Sequence, residues 1–281
     1  MLVYLNGEYI PHAEARISVD DRGFLFADGV YEVVRVYEGR PFLMTEHLER
    51  MAHGLRELRI AFDDVASLGD IAARLLDEND IRGDATIYFQ ITRGAAPRKH
   101  AFPADGTPPT VYVAAKPFAQ HPDAFFHDGV AAITVPDNRW ARCDIKSVSL
   151  LPNVLANQMA KEAGAFEALF VRDGVLLEGS HSNLFGVVDG TLVTYPRCNY
   201  ILPGITRDLV LRIAGELGIP TREAPIFVDR FARIDELFLS GTTTEVMPIV
   251  RVDGKAVGSG RPGEITRRLQ EAYRAAAHPK G

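Results

Sequence analysis

Lys146 is placed unlike the other lysines of this 281-residue chain. It follows Trp140-Ala141-Arg142-Cys143-Asp144-Ile145 and precedes Ser147-Val148-Ser149-Leu150-Leu151-Pro152-Asn153, which reads as the end of a strand ahead of a helix. Apolar neighbours can strip water from an amine, lower its pKa and free it to act as nucleophile or base. A strand-end lysine more often snorkels its ammonium into solvent, and composition alone favours that reading. Lys255 follows a hairpin turn, Lys161 fits the polar side of a helix and Lys280 falls in the tail.

Other side chains could act with such an amine. Glu178 ends the run Val175-Leu176-Leu177 and precedes Gly179-Ser180-His181-Ser182-Asn183; it could accept a heterocycle's N–H or simply be an exposed strand end. Pro203-Gly204-Ile205-Thr206-Arg207 opens a helix, where free backbone N–H groups and the positive dipole end suit an anion. Ser240-Gly241-Thr242-Thr243-Thr244 could form a second anion nest with hydroxyl donors. Arg50 lies off the apolar stripe of a helix, a place where most arginines face solvent. Arg98 and His100 stand two apart in a proline-rich loop; extended backbone would put them on one side, able to hold a carboxylate by charge-assisted bonds. A solvated basic loop is the alternative.

Several chemistries are excluded. Gly258-Ser259-Gly260-Arg261-Pro262-Gly263 matches a dinucleotide motif, but too little chain follows to complete a βαβ unit, so it reads as the turn before the last helix. The histidines show no metal-type pairing, and no metal is expected. A net charge of -6 argues against nucleic acid, which needs a basic face. No apolar run approaches the roughly 20 residues that cross a bilayer, and the first residues read as a hairpin strand rather than a signal peptide. Two cysteines, Cys143 and Cys198, do not make a disulfide framework, which fits a reducing cytosol and a cytoplasmic protein.

Positioning these residues requires a mixed framework. Asn6-Gly7, Asp173-Gly174, Asp189-Gly190 and Asp253-Gly254 lie between β-prone runs and predict tight hairpins, as Glu38-Gly39 does less ideally. The sheets should then be largely antiparallel and local. Helices are predicted from Thr45, a plausible N-cap, through Leu48, Met51, Leu55 and Leu58; over Ile71–Leu76; from Asn153 toward Ala163; from Gly204; and over Glu264–Ala277. Gly94–Pro109 holds four prolines and little periodicity, a long loop of the kind that often serves function. The expected organisation is α/β (α+β): a small N-terminal α/β domain at 1–118, a linker at 119–127 and a larger C-terminal α+β domain at 128–281.

In order and spacing, the following motifs resemble the fold-type IV pyridoxal-phosphate-dependent aminotransferases, and within them the bacterial D-amino acid aminotransferases. They are Asp21-Arg22-Gly23, Asp28-Gly29-Val30-Tyr31-Glu32, Glu46-His47-Leu48-Glu49-Arg50, Arg142-Cys143-Asp144-Ile145-Lys146-Ser147, Leu151-Pro152-Asn153, Glu178-Gly179-Ser180 with Ser182-Asn183, Gly204-Ile205-Thr206-Arg207 and Thr242-Thr243. The resemblance implies a barrel-like C-terminal domain that binds pyridoxal 5'-phosphate. It implies that Lys146 forms the Schiff base and then moves the proton between Cα and C4′. Glu178 would pair with the pyridine nitrogen, Leu202 would pack on the ring, and Arg50, Ile205, Thr206 and Thr242 would bind the phosphate. Tyr31, Arg98 and His100 would trap the substrate carboxylate, the last two reaching across a homodimer. The reaction implied moves an amino group from a D-amino acid such as D-alanine to a 2-oxo acid such as 2-oxoglutarate. Branched-chain aminotransferases and aminodeoxychorismate lyases share the fold and stand as alternatives, as does a non-catalytic cofactor binder. His181 stands where relatives often carry a small hydroxyl residue, and Gly241 lacks the usual hydroxyl of its turn.

Overall fold

A computed structural model describes residues 1–278, so Lys280 lies outside the described residues. The chain forms two compact units: Met1–Ala119 with Ile145–Ser149, and Gln120–Asp144 with Leu150–Gly281. The short piece that carries Lys146 thus belongs to the N-terminal unit, although it lies within the later sequence.

The first unit contains β1 (Leu2–Leu5), β2 (Glu8–Pro11), α1 (Arg22–Phe26), β3 (Gly29–Tyr37), β4 (Arg40–Pro41), α2 (Met44–Leu58), α3 (Ser67–Glu78), β5 (Ala85–Thr92) and β6 (Thr110–Pro117). Its sheet runs β2-β1-β6-β5-β3-β4, antiparallel throughout. Asn6 and Gly7, at φ 51° and 101°, make the first turn, and Glu38 and Gly39, at 49° and 77°, make that between β3 and β4. Val34, Ile87, Phe89 and Val113 of the sheet form one core with Met51 and Leu55 of α2 and Leu68 and Leu75 of α3. Thr45 is not the cap of α2: the helix starts one residue earlier, entered from Leu43 in the left-handed region at φ 56° with no side-chain cap. The short helix α1, not expected from the sequence, is capped by Asp21, whose carboxylate accepts from Gly23 N and Phe24 N. At five residues it is too short to show a hydrophobic period.

The second unit contains α4 (Asp123–Asp128), β7 (Val130–Pro136), α5 (Leu151–Glu162), β8 (Glu167–Arg172), β9 (Val175–Gly179), β10 (Asn183–Val188), β11 (Thr191–Thr194), α6 (Ile205–Glu216), β12 (Thr221–Glu223), β13 (Ile226–Phe227), β14 (Glu236–Gly241), β15 (Glu245–Val252), β16 (Lys255–Ala256) and α7 (Glu264–Ala277). Strands β10-β14-β15-β7-β8-β9 are neighbours in that order, and β9 pairs again with β10. That last pairing turns six strands into a closed, barrel-like ring, which removes free edges. Among the described residues, three of the unit's pairings are parallel: β7 with β8, β15 with β7 and β11 with β12. The sheet is still largely antiparallel, as expected, but these three pairings are exceptions that the local hairpin signals do not foresee. Helix α5 lies between β7 and β8 in the chain, and a crossover of this kind delivers its second strand parallel. The core gathers Leu169, Leu176, Leu184, Leu237, Leu239, Met247 and Ile249 from the ring's strands. The 258–263 segment is the turn before α7; Gly258 has φ 49°, and a Cβ there would stand 2.0 Å from the Asp235 carbonyl oxygen.

Candidate active site

In the first unit, Lys146 is tied to β3 by main chain and side chain together. Tyr31 N donates to Lys146 O at 3.0 Å, Val148 N donates to Gly29 O at 3.1 Å, and Ser147 forms an isolated bridge with Val30. The Lys146 amine sits 3.4 Å from Tyr31 Oη and 4.4 Å from the centre of its ring. Tyr31 itself stacks on Tyr88. Residues 140–146 do not form the expected strand. Their bonds go elsewhere: Arg142 to Asp144, the Cys143 thiol to Trp140 O, and Cys143 N to Asn199 O.

Arg50 is not the surface arginine that its helix position suggested; its side chain is 8% exposed. Its Nε and Nη2 donate to Glu32 at 2.6 and 2.8 Å, and His47 Nδ1 meets the same carboxylate at 2.8 Å. Burial pushes the Glu32 carboxyl up, but the charge and hydrogen bonds of Arg50 and His47 outweigh it and hold the group at about 2. For His47 burial dominates and keeps the imidazole below its ordinary value, against the pull of Glu32.

Arg98 and His100 are exposed and share one neighbour, the ring of Phe26, at 5.2 and 5.5 Å. The structure thus brings Lys146 together with Tyr31, and Arg98 together with His100, each set on its own aromatic surface.

In the second unit, Glu178 is 4% exposed, contrary to the reading of a solvated strand end. Arg139 Nη1 donates to one carboxylate oxygen, while Asn183 Nδ2 and Leu202 N donate to the other at 2.9 and 3.1 Å. Burial pushes Glu178 up to about 7, against the opposing pull of Arg139. Arg139 is in turn fixed by Asp137 at 2.8 Å and by the Tyr200 carbonyl at 3.1 Å. Asn183 pairs with Glu178 on one side and with Ser240 on the other, so β9, β10 and β14 present Glu178, Asn183 and Ser240 in one row. Leu202 follows in the segment that leads to α6, and Gly204 packs so closely on Asn183 that a Cβ would stand 1.9 Å from its Oδ1.

Two features of this unit suit an anion. Helix α6 begins at Ile205 and Thr206 with Gly204 at its N-cap and no side-chain cap. In the turn that carries the half-buried Thr242, Ser240 Oγ and Thr244 Oγ1 are buried without a hydrogen-bond partner. Buried hydroxyls are rarely left so, and both could serve an acceptor placed there. Glu167 receives Ser180 and Ser182 hydroxyls and meets His181 Nδ1 at 2.9 Å.

Arg139 and Asn183 had no role assigned to them from sequence. Arg139 lies in irregular chain with no period to mark it, and only the closure of the ring gives Asn183 its partner. Glu32 and His47 stand in the quoted motifs without a role, because their contact joins a strand to a helix.

The profile of the Amino-transferase class IV family matches residues 29–252. The chain is 42% identical over 272 residues to the D-alanine aminotransferase of Staphylococcus aureus strain COL, covering 96% of each chain. It is 42% identical over 275 residues to the D-alanine aminotransferase of Bacillus licheniformis, covering 97% of this chain and 95% of that one. Among solved structures, the branched-chain amino acid aminotransferase from Escherichia coli superposes with a TM-score of 0.89 at 29% identity, covering 98% of this chain and 93% of that one. The branched-chain aminotransferase from Thermoproteus uzoniensis with norvaline gives a TM-score of 0.87 at 28% identity, covering 99% of this chain and 94% of that one.

Proposed function

The chain belongs to the Amino-transferase class IV family, and on that premise we propose that it is a pyridoxal-phosphate-dependent D-amino acid aminotransferase. Its two half-reactions take the amino group from a D-amino acid such as D-alanine and give it to a 2-oxo acid such as 2-oxoglutarate. The observation that carries the mechanism is the amine of Lys146 held at Tyr31 by both its main chain and its side chain.

Pyridoxal 5'-phosphate fits the residues present. The buried, multiply bonded Glu178 suits a ring N–H, and the uncapped start of α6 with the unpartnered Ser240 and Thr244 hydroxyls suits a phosphate. Ile205, Thr206, Thr242 and Arg50 would hold that phosphate, and Leu202 would pack on the ring. When bound, the cofactor's pyridine ring withdraws the electron pair left at the substrate Cα as its proton departs.

Lys146 would carry the proton work: its Nζ is the amine that would hold the cofactor's aldehyde carbon and, when free, would take the proton from the substrate Cα. Tyr31, at 3.4 Å, restricts where that amine can go, so the proton must be presented from one side. Glu178 keeps the ring nitrogen protonated by offering a carboxylate fixed by Arg139, Asn183 and Leu202 N. Arg98 and His100, with Tyr31, hold the substrate carboxylate and so decide which enantiomer presents its Cα proton.

Homodimerisation is part of the same proposal, with Arg98 and His100 acting in the neighbouring subunit. Helix α5 supports it: Leu151, Val154, Leu155 and Met159 are 49–69% exposed along one stripe, an apolar face of the kind that marks an interface. Sedimentation at the mass of two chains would bear this out, and a monomeric active enzyme would refute it. A cytoplasmic location is proposed from the free thiols of Cys143 and Cys198. Among the described residues, no helix is long and apolar enough to cross a membrane.

The deciding experiment is the absorbance spectrum of the purified holoenzyme with D-alanine, and with L-alanine and L-leucine in parallel. Conversion of the cofactor to its amine form by D-alanine alone is expected. Conversion by L-leucine alone would replace the reading with a branched-chain aminotransferase, and pyruvate release from aminodeoxychorismate without an acceptor would replace it with a lyase.

A further inference from the structure

Arg22 and Asp28 belong to two sequence motifs that the proposed reaction leaves without a role. Arg22 is 3% exposed and its guanidinium points at a loop carbonyl cluster. Its Nη1 donates to Lys99 O at 2.6 Å and to Ala101 O at 3.4 Å, and its Nη2 to His100 O at 3.5 Å. The Nε donates to Asp28 at 2.8 Å. Arg93, at the start of the same loop, donates to both oxygens of Asp28 at 2.7 and 2.9 Å. It also donates to the carbonyls of Arg59 and Leu58 at 2.7 and 2.6 Å. One carboxylate therefore ties both ends of the segment that carries Arg98 and His100.

The loop needs such a tie. Pro97, Pro103, Pro108 and Pro109 lack N–H groups, and the isolated Asp21–Ala95 bridge fixes only the start of this segment, leaving residues 97–103 without a ladder. Three successive carbonyls converge instead on one planar fork, which supplies several donors from one buried charge. The ring of Phe26 lies 4.8 Å from the Arg22 guanidinium, and the same ring faces Arg98 and His100. Phe102 closes the far side, its ring 3.7 Å from the Arg93 guanidinium.

We propose that Arg22, with Asp28 and Arg93, is the positioning device of the substrate-carboxylate loop: by gripping the backbone of residues 99–101 it sets where Arg98 and His100 stand, and so sets substrate affinity without touching substrate. The inference rests on the reading of Arg98 and His100 as the carboxylate trap. It assigns Arg22 and Asp28 to KM rather than to kcat.

The test compares steady-state kinetics on D-alanine for the holoenzyme and for Arg22→Lys, Asp28→Asn, Arg98→Ala and the double variant Arg22→Lys/Arg98→Ala, with melting temperatures and inhibition by propionate alongside. Losing a charge-assisted contact to substrate should raise KM for Arg98→Ala about tenfold. Arg22→Lys and Asp28→Asn should raise KM and the propionate inhibition constant severalfold while kcat stays within about twofold. The double variant should fall short of full additivity, because part of the Arg22 effect acts through Arg98 and only the part that acts through His100 is left. Asp28→Asn keeps the side-chain shape and probes the tie if the lysine variant folds poorly. If Arg98→Ala raises KM while Arg22→Lys and Asp28→Asn match wild type, the positioning role is overturned and the trap stands. Additive effects in the double variant overturn it as well. A silent Arg98→Ala overturns the trap, and the positioning role falls with it.

Discussion

Glu178 and Asn183 are register partners at the single bridge that closes the six-stranded ring, and Asn183 Nδ2 donates to Glu178 Oε2 at 2.9 Å. The same amide reaches the Leu202 carbonyl at 2.9 Å, so the closure of the sheet and the fixing of the carboxylate are one event. Removing either partner of a buried hydrogen bond strands the other at about 1–3 kcal/mol. Asn183→Ala should therefore lower the melting temperature and loosen cofactor binding together, measured by thermal unfolding and by cofactor titration. A variant that lost stability but kept its cofactor affinity would separate the two roles.

Glu178→Gln tests the carboxylate alone. The amide keeps the volume and the bond from Leu202 N but removes the charge that the proposed function sets against a ring N–H. Turnover should fall by about two orders of magnitude or more, the scale of losing one preorganised electrostatic partner. Near-normal kcat would show that the ring nitrogen needs no anion here.

Lys146→Ala should fold normally, since the Tyr31 N to Lys146 O bond is backbone and survives the change. Turnover should vanish, and the cofactor should exchange out on gel filtration because nothing holds it covalently. Retained activity would refute the assignment of the amine.

Glu32 carries a pH signature. Its carboxyl is held at about 2 against an ordinary 4.5, so its stabilisation is fully present above 4.5 and is lost as pH falls from there toward 2. The shift corresponds to about 3 kcal/mol. Glu32→Gln should destabilise the protein at about pH 7, because Arg50 loses a buried counter-charge. It should also flatten the decline in acid, read by urea unfolding across pH. An unchanged slope would assign the acid sensitivity elsewhere.

Gly204→Ala places a methyl 1.9 Å from Asn183 Oδ1, too close for either to stay. A stability loss of about 1–3 kcal/mol is expected, with weaker phosphate binding as the start of α6 shifts. Titration with inorganic phosphate and thermal unfolding would read the two effects separately.

Much of this was legible in the residues alone. The five Asn-Gly, Asp-Gly and Glu-Gly turns are local, since positive φ at two successive residues is a property of a few neighbouring atoms. The helices from Met44, Ser67, Leu151, Ile205 and Glu264 announced themselves by period, and the motif order around Lys146 and Glu178 indicated the family. What the sequence could not supply were contacts between distant segments. Ile249 of β15 pairs with Val130 of β7 from far along the chain, and the parallel strands β7 and β8 meet only after α5 has crossed over. The ion pair of Arg50 with Glu32, the clamp of Arg22 on residues 99–101 and the burial of Glu178 are likewise decided by packing. A buried charge can form only where the fold brings its partner, and no local pattern records which partner that is. The sequence therefore determined which groups were available for chemistry, and the tertiary structure decided which of them were desolvated, paired and aimed.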